Sequence, residues 1–406
     1  MRVIDKLFDT MVSVEHLMLA WHHFKRGKRH RKDVQNYERH LEDCIFELHE
    51  ELTGLHYQPG PYQQFYVFDP QKRYISKACV KDRLVHQMLY ATLSNIFDKT
   101  FIAHSFSCRV GKGTHAGVDL LQSMIRKVSR NNKQACFALK MDVQRFFDSV
   151  DHDILKILLR KRIQDERFLY IADCVIDSFK SQPDSQHNTG LPIGNVTSQI
   201  FANIYLHELD TFVKHTLRQK YYLRYCDDFI IVAHDKNQLT VLIEPIREFL
   251  TQKLRLTLHP QKIILSNLHQ GIDFLGYILF PHHRLLRTRT KRRMKRRLKT
   301  KYTAYLQQKI DHTHMDQCLQ SYLGILSHAN TYQLSQNLKN AYLVREGTTK
   351  ANDSGQNAAK RHKTRRAQNA KTKGTKRASE GAPGARSNRS GTHPLHDQHA
   401  KTKDEK

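Results

Sequence analysis

Tyr221-Tyr222-Leu223-Arg224-Tyr225-Cys226-Asp227-Asp228-Phe229-Ile230-Ile231-Val232-Ala233 reads as two β-prone runs, Tyr221 to Tyr225 and Phe229 to Ala233, joined by Cys226-Asp227-Asp228. The pattern predicts strand, turn, strand, with two adjacent carboxylates on a tight turn. A third carboxylate, Asp142, follows directly on a short apolar strand predicted from Ala135 to Met141. Antiparallel pairing of these elements brings Asp142, Asp227 and Asp228 to one point. Carboxylates crowded in this way raise one another's pKa unless divalent cations neutralise them. Hard oxygen ligands of this kind select Mg²⁺ or Mn²⁺. Two such ions about 3.5–4 Å apart clamp the attacking and leaving oxygens of an in-line phosphoryl transfer, the chemistry that nucleic-acid polymerases use. Asp-Asp is also a common turn pair, so its meaning depends on its surroundings.

Toward the N-terminus, Val3 to Ala20 and Tyr37 to Leu55 carry apolar residues at three- and four-residue spacing and predict two amphipathic helices. Between them lies a basic loop, Lys25-Arg26-Gly27-Lys28-Arg29-His30-Arg31-Lys32. Pro59-Gly60-Pro61 opens an alternating aromatic segment, Tyr62 to Phe68, which turns at Asp69-Pro70 into Arg73 to Ser76, a hairpin signal. Further helices are predicted at Lys81 to Phe97, Thr114 to Val128, Ile154 to Arg160, Phe168 to Phe179, Thr197 to Leu217 and Leu239 to Leu254. Short strands are expected at Leu256 to Leu258 and Ile263 to Ser266, then an apolar run from Ile272 to Phe280. Beyond Arg284 the pattern is helical to about Tyr342. Strands and helices interleave without regular βαβ alternation, so the fold class is α+β, and no repeat stands out at periods of about 20 to 50 residues.

The 406 residues allow two or three compact domains. Lys and Arg number 67 against 39 Asp and Glu, a net charge of +28, which points to a polyanionic partner. From about Glu346 to Lys406 the composition turns to Ala, Gly, Ser, Thr, Asn, Lys and Arg, the signature of a disordered basic tail. That tail holds fifteen Lys/Arg and six Asp/Glu, so it carries +9 and the rest of the chain +19. Seven scattered cysteines, with no C-x-x-C pair, argue against a disulfide framework or a zinc site and for a reducing compartment. No signal peptide forms at the N-terminus and no run of about 18 apolar residues spans a membrane, so a cytoplasmic location is expected.

From about Tyr62 to Phe280 the sequence resembles a reverse transcriptase, with motifs in that family's order. Tyr225-Cys226-Asp227-Asp228 looks like its Tyr-x-Asp-Asp box, and Lys140-Met141-Asp142-Val143-Gln144-Arg145-Phe146-Phe147-Asp148 like its first carboxylate motif. The resemblance implies a right-hand polymerase fold with fingers, a ferredoxin-like palm and a helical thumb. It divides the chain into an N-terminal helical segment (1–60), fingers and palm (61–283), thumb (284–345) and basic tail (346–406). It implies cDNA synthesis from an RNA template and deoxynucleoside triphosphates with two Mg²⁺ ions, Mn²⁺ being an alternative. Asp142 and Asp227 are then the principal metal ligands, with Asp228 beside them and the Val143 carbonyl as a further ligand.

Phe147 matches the bulky residue beneath the incoming sugar, where it would clash with a 2′-hydroxyl. Its other reading is an ordinary core aromatic, since Phe146 beside it must also face something apolar. Arg73, and more weakly Lys72, resembles the fingers cation that grips the triphosphate, whose charge must be balanced as the bond breaks. Lys262 matches a lysine that protonates the departing pyrophosphate. Phe274-Leu275-Gly276-Tyr277 resembles the segment that holds the primer end, where glycine lets the backbone come close. Arg287 to Lys301 holds ten Lys/Arg in fifteen residues and no acid. That density cannot all lie on one helix face, so part of it, including Arg292, Arg293 and Arg296, is expected to track primer and template phosphates.

Gly190-Leu191-Pro192-Ile193-Gly194-Asn195-Val196-Thr197-Ser198-Gln199 departs from the commoner family pattern by placing Ile193 where a glutamine precedes the second glycine. A branched apolar residue removes a hydrogen-bond donor near the incoming nucleotide, and relaxed fidelity follows. Ile193 and Gln199 are therefore expected beside the nucleotide. Together with Ser105 to Ala116, this loop looks most like the bacterial or phage reverse transcriptases of diversity-generating retroelements. That resemblance implies errors opposite template adenines and a small basic accessory variability protein as partner. Bacterial reverse transcriptases of phage defence share the Ser-Gln form and are the alternative, and a different class is a catalytically idle RNA-binding scaffold. A group II intron enzyme would carry glutamine at Ile193 and a longer maturase region.

Overall fold

The computed structural model describes residues 4–68, 72–181 and 188–342. The Asp69-Pro70 turn and the tail expected over 346–406 lie outside the described residues. The chain divides into two units, Met1–Ala341 and Tyr342–Lys406. Four helices open the first: α1 (Phe8–Val12), α2 (Val14–Phe24), α3 (Lys32–Arg39) and α4 (Leu41–Thr53). The two helices predicted here are thus four. Ser13 leaves the helical region (φ −57°, ψ 146°) and its Oγ accepts the His16 N–H at 3.3 Å, a cap that starts a new helix inside an unbroken apolar pattern. His40 (φ −121°, ψ 36°) separates α3 from α4. Leu17, Trp21, Ile45, Leu48 and Leu52 are buried across these breaks, so the spacing reported burial and not where each helix begins.

The hairpin β1 (Gln63–Phe68) and β2 (Lys72–Lys77) is antiparallel, with Val67 opposite Arg73 and Phe65 opposite Ile75. After α5 (Val80–Phe97), β3 (Ser105–Phe106) and α6 (Thr114–Val128) comes the central strand β4 (Phe137–Asp142). Then follow α7 (Phe146–Ser149), α8 (His152–Arg160), α9 (Glu166–Asp177) and α10 (Val196–Thr211). The predicted hairpin is present as β5 (Tyr222–Tyr225) and β6 (Asp228–Ala233), followed by α11 (Lys236–Thr240), α12 (Ile243–Leu254) and β7 (Ile264–Asn267). Strands β3 to β7 form one sheet in the order β3-β5-β6-β4-β7, antiparallel except for β3 on β5.

Leu256 to Leu258 is not a strand; Leu258 makes a single bridge to Val143. The apolar run Ile272 to Phe280 is two strands, β8 (Ile272–Phe274) and β9 (Tyr277–Leu279), because Leu275 and Gly276 turn the chain through positive φ (47° and 89°). With β10 (Arg284–Leu286) they make a three-stranded sheet, and α13 (Thr288–Leu306), α14 (His312–Leu326) and α15 (Tyr332–Tyr342) follow. The helix predicted to reach Leu217 ends at Thr211 and widens into a π-turn, Phe212–Thr216. Among the described residues no helix is long and apolar enough to cross a membrane.

One main core runs from Phe8 of α1 through Val85 and Leu89 of α5 and Tyr205 of α10 to Met141 of β4 and Phe229 of β6. It ends at Leu258; the buried residues of β8 to β10 and α13 to α15 are not part of it. Within this core His86 Nδ1 meets Thr197 Oγ1 at 2.6 Å, tying α5 to α10. Burial, with Arg83 adding to it, pushes His86 down to about 4. An unfolded histidine takes its proton near pH 6.5, so the unfolded state binds more protons between about pH 6.5 and 4, and stability falls as pH drops through that window. His86→Gln is expected to flatten this dependence, read as the denaturation midpoint against pH.

Candidate active site

The register places Asp142, the last residue of β4, directly opposite Asp228, the first of β6. Asp228 also pairs with Tyr225 of β5, which leaves Cys226-Asp227 as a two-residue turn above the same edge. Cys226 takes a left-handed conformation (φ 54°), unfavourable by about 1–2 kcal/mol for a residue with a Cβ. Its backbone is held at both ends: its N–H reaches Phe106 O at 3.4 Å, and its carbonyl accepts from Arg224 at 3.0 Å. Arg224 is fully buried and grips Asp210 of α10 through two 2.7 Å bonds. It also donates to Ser105 Oγ at 2.9 Å, and Tyr222 Oη donates to Asp210 at 2.7 Å. The turn that aims Asp227 is therefore clamped by one guanidinium that joins α10, β3 and β5.

Two lysines face the three carboxylates. Lys262 Nζ hydrogen-bonds Asp142 Oδ2, and Lys140 Nζ stands 3.5 Å from Asp228 Oδ2. Lys262 is brought there by a 3₁₀ turn, Pro260–Lys262, that begins where the His259 N–H bonds Asp142 O at 2.9 Å. Burial, then the neighbouring Asp142 and Asp228 charges, pushes Asp227 up to about 6. Asp228 is raised too, by burial first and Asp142 next, with Lys140 opposing. Lys262 is held more firmly protonated by its bond to Asp142 and by the other two carboxylates. Among the described residues no three His, Cys, Asp or Glu side chains stand together as a metal-binding group. The donor set still suits a hard divalent ion: every candidate ligand is an oxygen, and like charges raise two of the three carboxylates.

A profile of the reverse transcriptase (RNA-dependent DNA polymerase) family matches residues 69–279, over half of the chain and the whole of this site. The chain belongs to the reverse transcriptase family. Protein YkfC of Escherichia coli is 24% identical over 285 residues, covering 60% of this chain and 71% of that protein. The group II intron-encoded protein LtrA of Lactococcus lactis is 23% identical over 303 residues, 58% of this chain and 49% of LtrA. This reverse transcriptase thus spans about half the length of LtrA. An apo telomerase structure from Candida tropicalis aligns with a TM-score of 0.42 at 15% identity, covering 57% of each chain. Reverse transcriptases work with divalent metal ions, and Asp142, Asp227 and Asp228 are the side chains here that would hold them; Val143, whose carbonyl was the further expected ligand, is buried beside them.

In this reverse transcriptase Phe146 is buried and Phe147 half-buried against it, ring centroids 5.3 Å apart. Phe146 belongs to the core, and Phe147 packs against that core while remaining partly exposed. Ile193 is half-buried, and its carbonyl accepts the Ser76 N–H at 3.1 Å, which docks the hairpin on the 190–199 loop. Arg73 is exposed three residues from that bond. Lys72 lies on the other face of β2, its Nζ 4.0 Å from the Tyr66 ring centroid, so the two do not converge on one ligand. Gln199 is exposed on the first turn of α10. Ser198 beside it braces the loop instead, donating to Pro192 O at 2.7 Å.

Phe274 is fully buried, so it can support a primer end without touching it. Gly276 lines a cavity of about 460 Å³ with Thr290 and Arg293. Arg292, Arg293 and Arg296 line a cleft of about 810 Å³ whose other wall is the exposed Phe68 at the hairpin tip. Sequence reading assigned no role to Lys140, Asp210 or Arg224. An arginine in an apolar strand and an aspartate in an apolar helix were the signals that could have found the last two.

Proposed function

We propose that this reverse transcriptase copies an RNA template into cDNA at the edge of the β4/β5/β6 sheet. The observation that carries the reading is Asp142 opposite Asp228, with Asp227 on the clamped turn between β5 and β6. Bound divalent ions would supply neutralisation of the developing phosphoryl charge. Lys262 is held protonated within reach of Asp142 and suits proton delivery to the departing pyrophosphate. Arg73 offers its guanidinium to the triphosphate. The partly exposed Phe147 ring is the residue that would exclude a ribose 2′-hydroxyl. The cleft between Phe68 and Arg292, Arg293 and Arg296 suits a duplex backbone, with fingers and palm over 61–283, a thumb over 284–345 and a basic tail over 346–406 as the working division.

The finer reading is an error-prone enzyme of a diversity-generating retroelement, working with a small basic accessory protein. Ile193 supports it, because an apolar side chain stands where a donor would fix the incoming nucleotide. Primer extension on a defined RNA with Mg²⁺ and four deoxynucleotides, followed by sequencing, tests both levels. Products with errors concentrated opposite adenine are expected; accurate products would favour a defence role, and a lack of product with and without the accessory protein would sink the polymerase reading. Ile193→Gln should lower misincorporation opposite template adenine severalfold, and an unchanged error spectrum would remove Ile193 from the explanation.

A further inference from the structure

A second cavity, of about 260 Å³, lies behind the hairpin. Its walls come from Phe24, Lys28 and Arg31 near the end of α2, Phe65, Ile75 and Lys77 of the hairpin, Arg83 and His86 of α5, and Asn195 at the start of α10. Four cations line it, and among the described residues the one carboxylate that pairs with any of them is Asp33, which Lys77 and Arg83 share at 2.7 and 2.6 Å. Lys28 Nζ donates to Phe24 O at 2.7 Å, and Arg31 is exposed with no ion pair among the described residues. Burial, then Arg83 and Arg31, lowers the Lys28 pKa, the mark of a cation crowded by like charges.

The floor is polar and unsatisfied. Asn195 is 4% exposed, and neither its amide nitrogen nor its carbonyl oxygen has a hydrogen-bond partner among the described residues. A buried amide with both ends open costs free energy unless something completes it. It also sits at the N-cap of α10 without a side-chain cap bond.

We propose that this pocket seats one nucleotide of single-stranded RNA beside the copying site, its phosphate on Lys28 and Arg31 and its 2′-hydroxyl on the Asn195 amide. A hydroxyl that both donates and accepts satisfies both open ends of that amide, and the cation excess suits a phosphodiester. Phe65 and Ile75 lie on the same hairpin face as Arg73, further from the tip, so a strand lying here leads toward the nucleotide site. Phe24, Lys28 and Arg31 lie outside the segment matched to the family. The inference rests on the polymerase reading for its choice of strand.

The test is fluorescence polarisation of the full chain with a labelled single-stranded RNA oligonucleotide and the DNA of the same sequence, across a KCl series. Lys28→Gln/Arg31→Gln is expected to weaken both ligands about tenfold and to lower the salt slope by ~0.7, the share of the one phosphate left without its cations. Asn195→Ala should weaken RNA severalfold and leave DNA unchanged. Arg31→Gln alone, at an exposed position, covers the case of a misfolded double variant and should weaken both ligands and lower the slope in the same direction, by less than the double variant. An unchanged slope, or equal loss of RNA and DNA in Asn195→Ala, would overturn the proposal. Inorganic phosphate that displaces RNA from the parent but not from the double variant would show a free-phosphate site and overturn it as well. Binding needs no turnover, so synthesis by Asp227→Asn reports separately on the polymerase reading.

Discussion

Asp227→Asn is expected to abolish cDNA synthesis, by about a thousandfold or more, the scale of losing charge stabilisation at a phosphoryl transfer. Binding of RNA should stay within a few-fold of the parent, because the arginines of α13 and the hairpin cations are untouched. Stability should hold or rise slightly. Asp227 is buried beside Asp142 and Asp228, and its ionised form is already disfavoured enough to move its pKa up to about 6. An amide of the same shape removes that repulsion. Loss of activity therefore cannot be blamed on unfolding, which circular dichroism and a denaturation curve will check. A variant that loses synthesis and RNA binding in parallel would contradict the assignment of Asp227 to the chemistry.

The second large effect is expected away from the carboxylates. Arg224 and Asp210 are both fully buried and bonded to each other twice. Arg224→Met leaves a carboxylate in the core with the Tyr222 hydroxyl, and Asp210→Leu leaves a guanidinium there; either is expected to cost about 3–5 kcal/mol in a denaturation curve. The double variant Arg224→Met/Asp210→Leu should recover most of that loss, since apolar side chains of similar volume often replace a buried pair without penalty. Synthesis should not recover with it. The 3.0 Å bond from Arg224 to the Cys226 carbonyl is gone, and the left-handed turn that aims Asp227 keeps only the longer of its two described holds, the 3.4 Å bond from the Cys226 N–H to Phe106 O. Single variants as stable as the parent would show that the pair is not uncompensated when broken, and a fully active double variant would show that the clamp is dispensable.

Much of this site was legible because its chemistry sits on regular elements. Alternating apolar runs around Cys226-Asp227-Asp228 pointed to the hairpin, and the apolar run before Asp142 to the strand beside it; pairing such strands leaves few arrangements. The misses share a physical origin. Periodicity reports which face is buried, so it ran through the Ser13 cap and merged β8 with β9 across Gly276. It cannot say which of two cations on one strand faces a ligand, and neighbours on a strand point to opposite sides, which separated Lys72 from Arg73. Nor does it predict long-range polar pairs: Asp210 and Arg224 lie fourteen residues apart, and only the tertiary fold reveals that each is the other's counter-ion. Phe274 lies in a segment matched to a functional motif, yet its side chain is fully buried, which the motif alone did not indicate.

The main core ends at Leu258. The buried residues from β8 to α15 lie outside it, and this segment meets the rest of the chain at α6 and β4: Tyr277 Oη lies 3.1 Å from His115 Nε2, and Lys140 Nζ lies 5.9 Å from the Phe274 ring centroid. A polymerase must slacken and regain its hold on the duplex at every nucleotide added. The same Lys140 stands 3.5 Å from Asp228 Oδ2, so in the proposed polymerase a shift of β8 to α15 along the duplex would reach the carboxylate edge through one lysine.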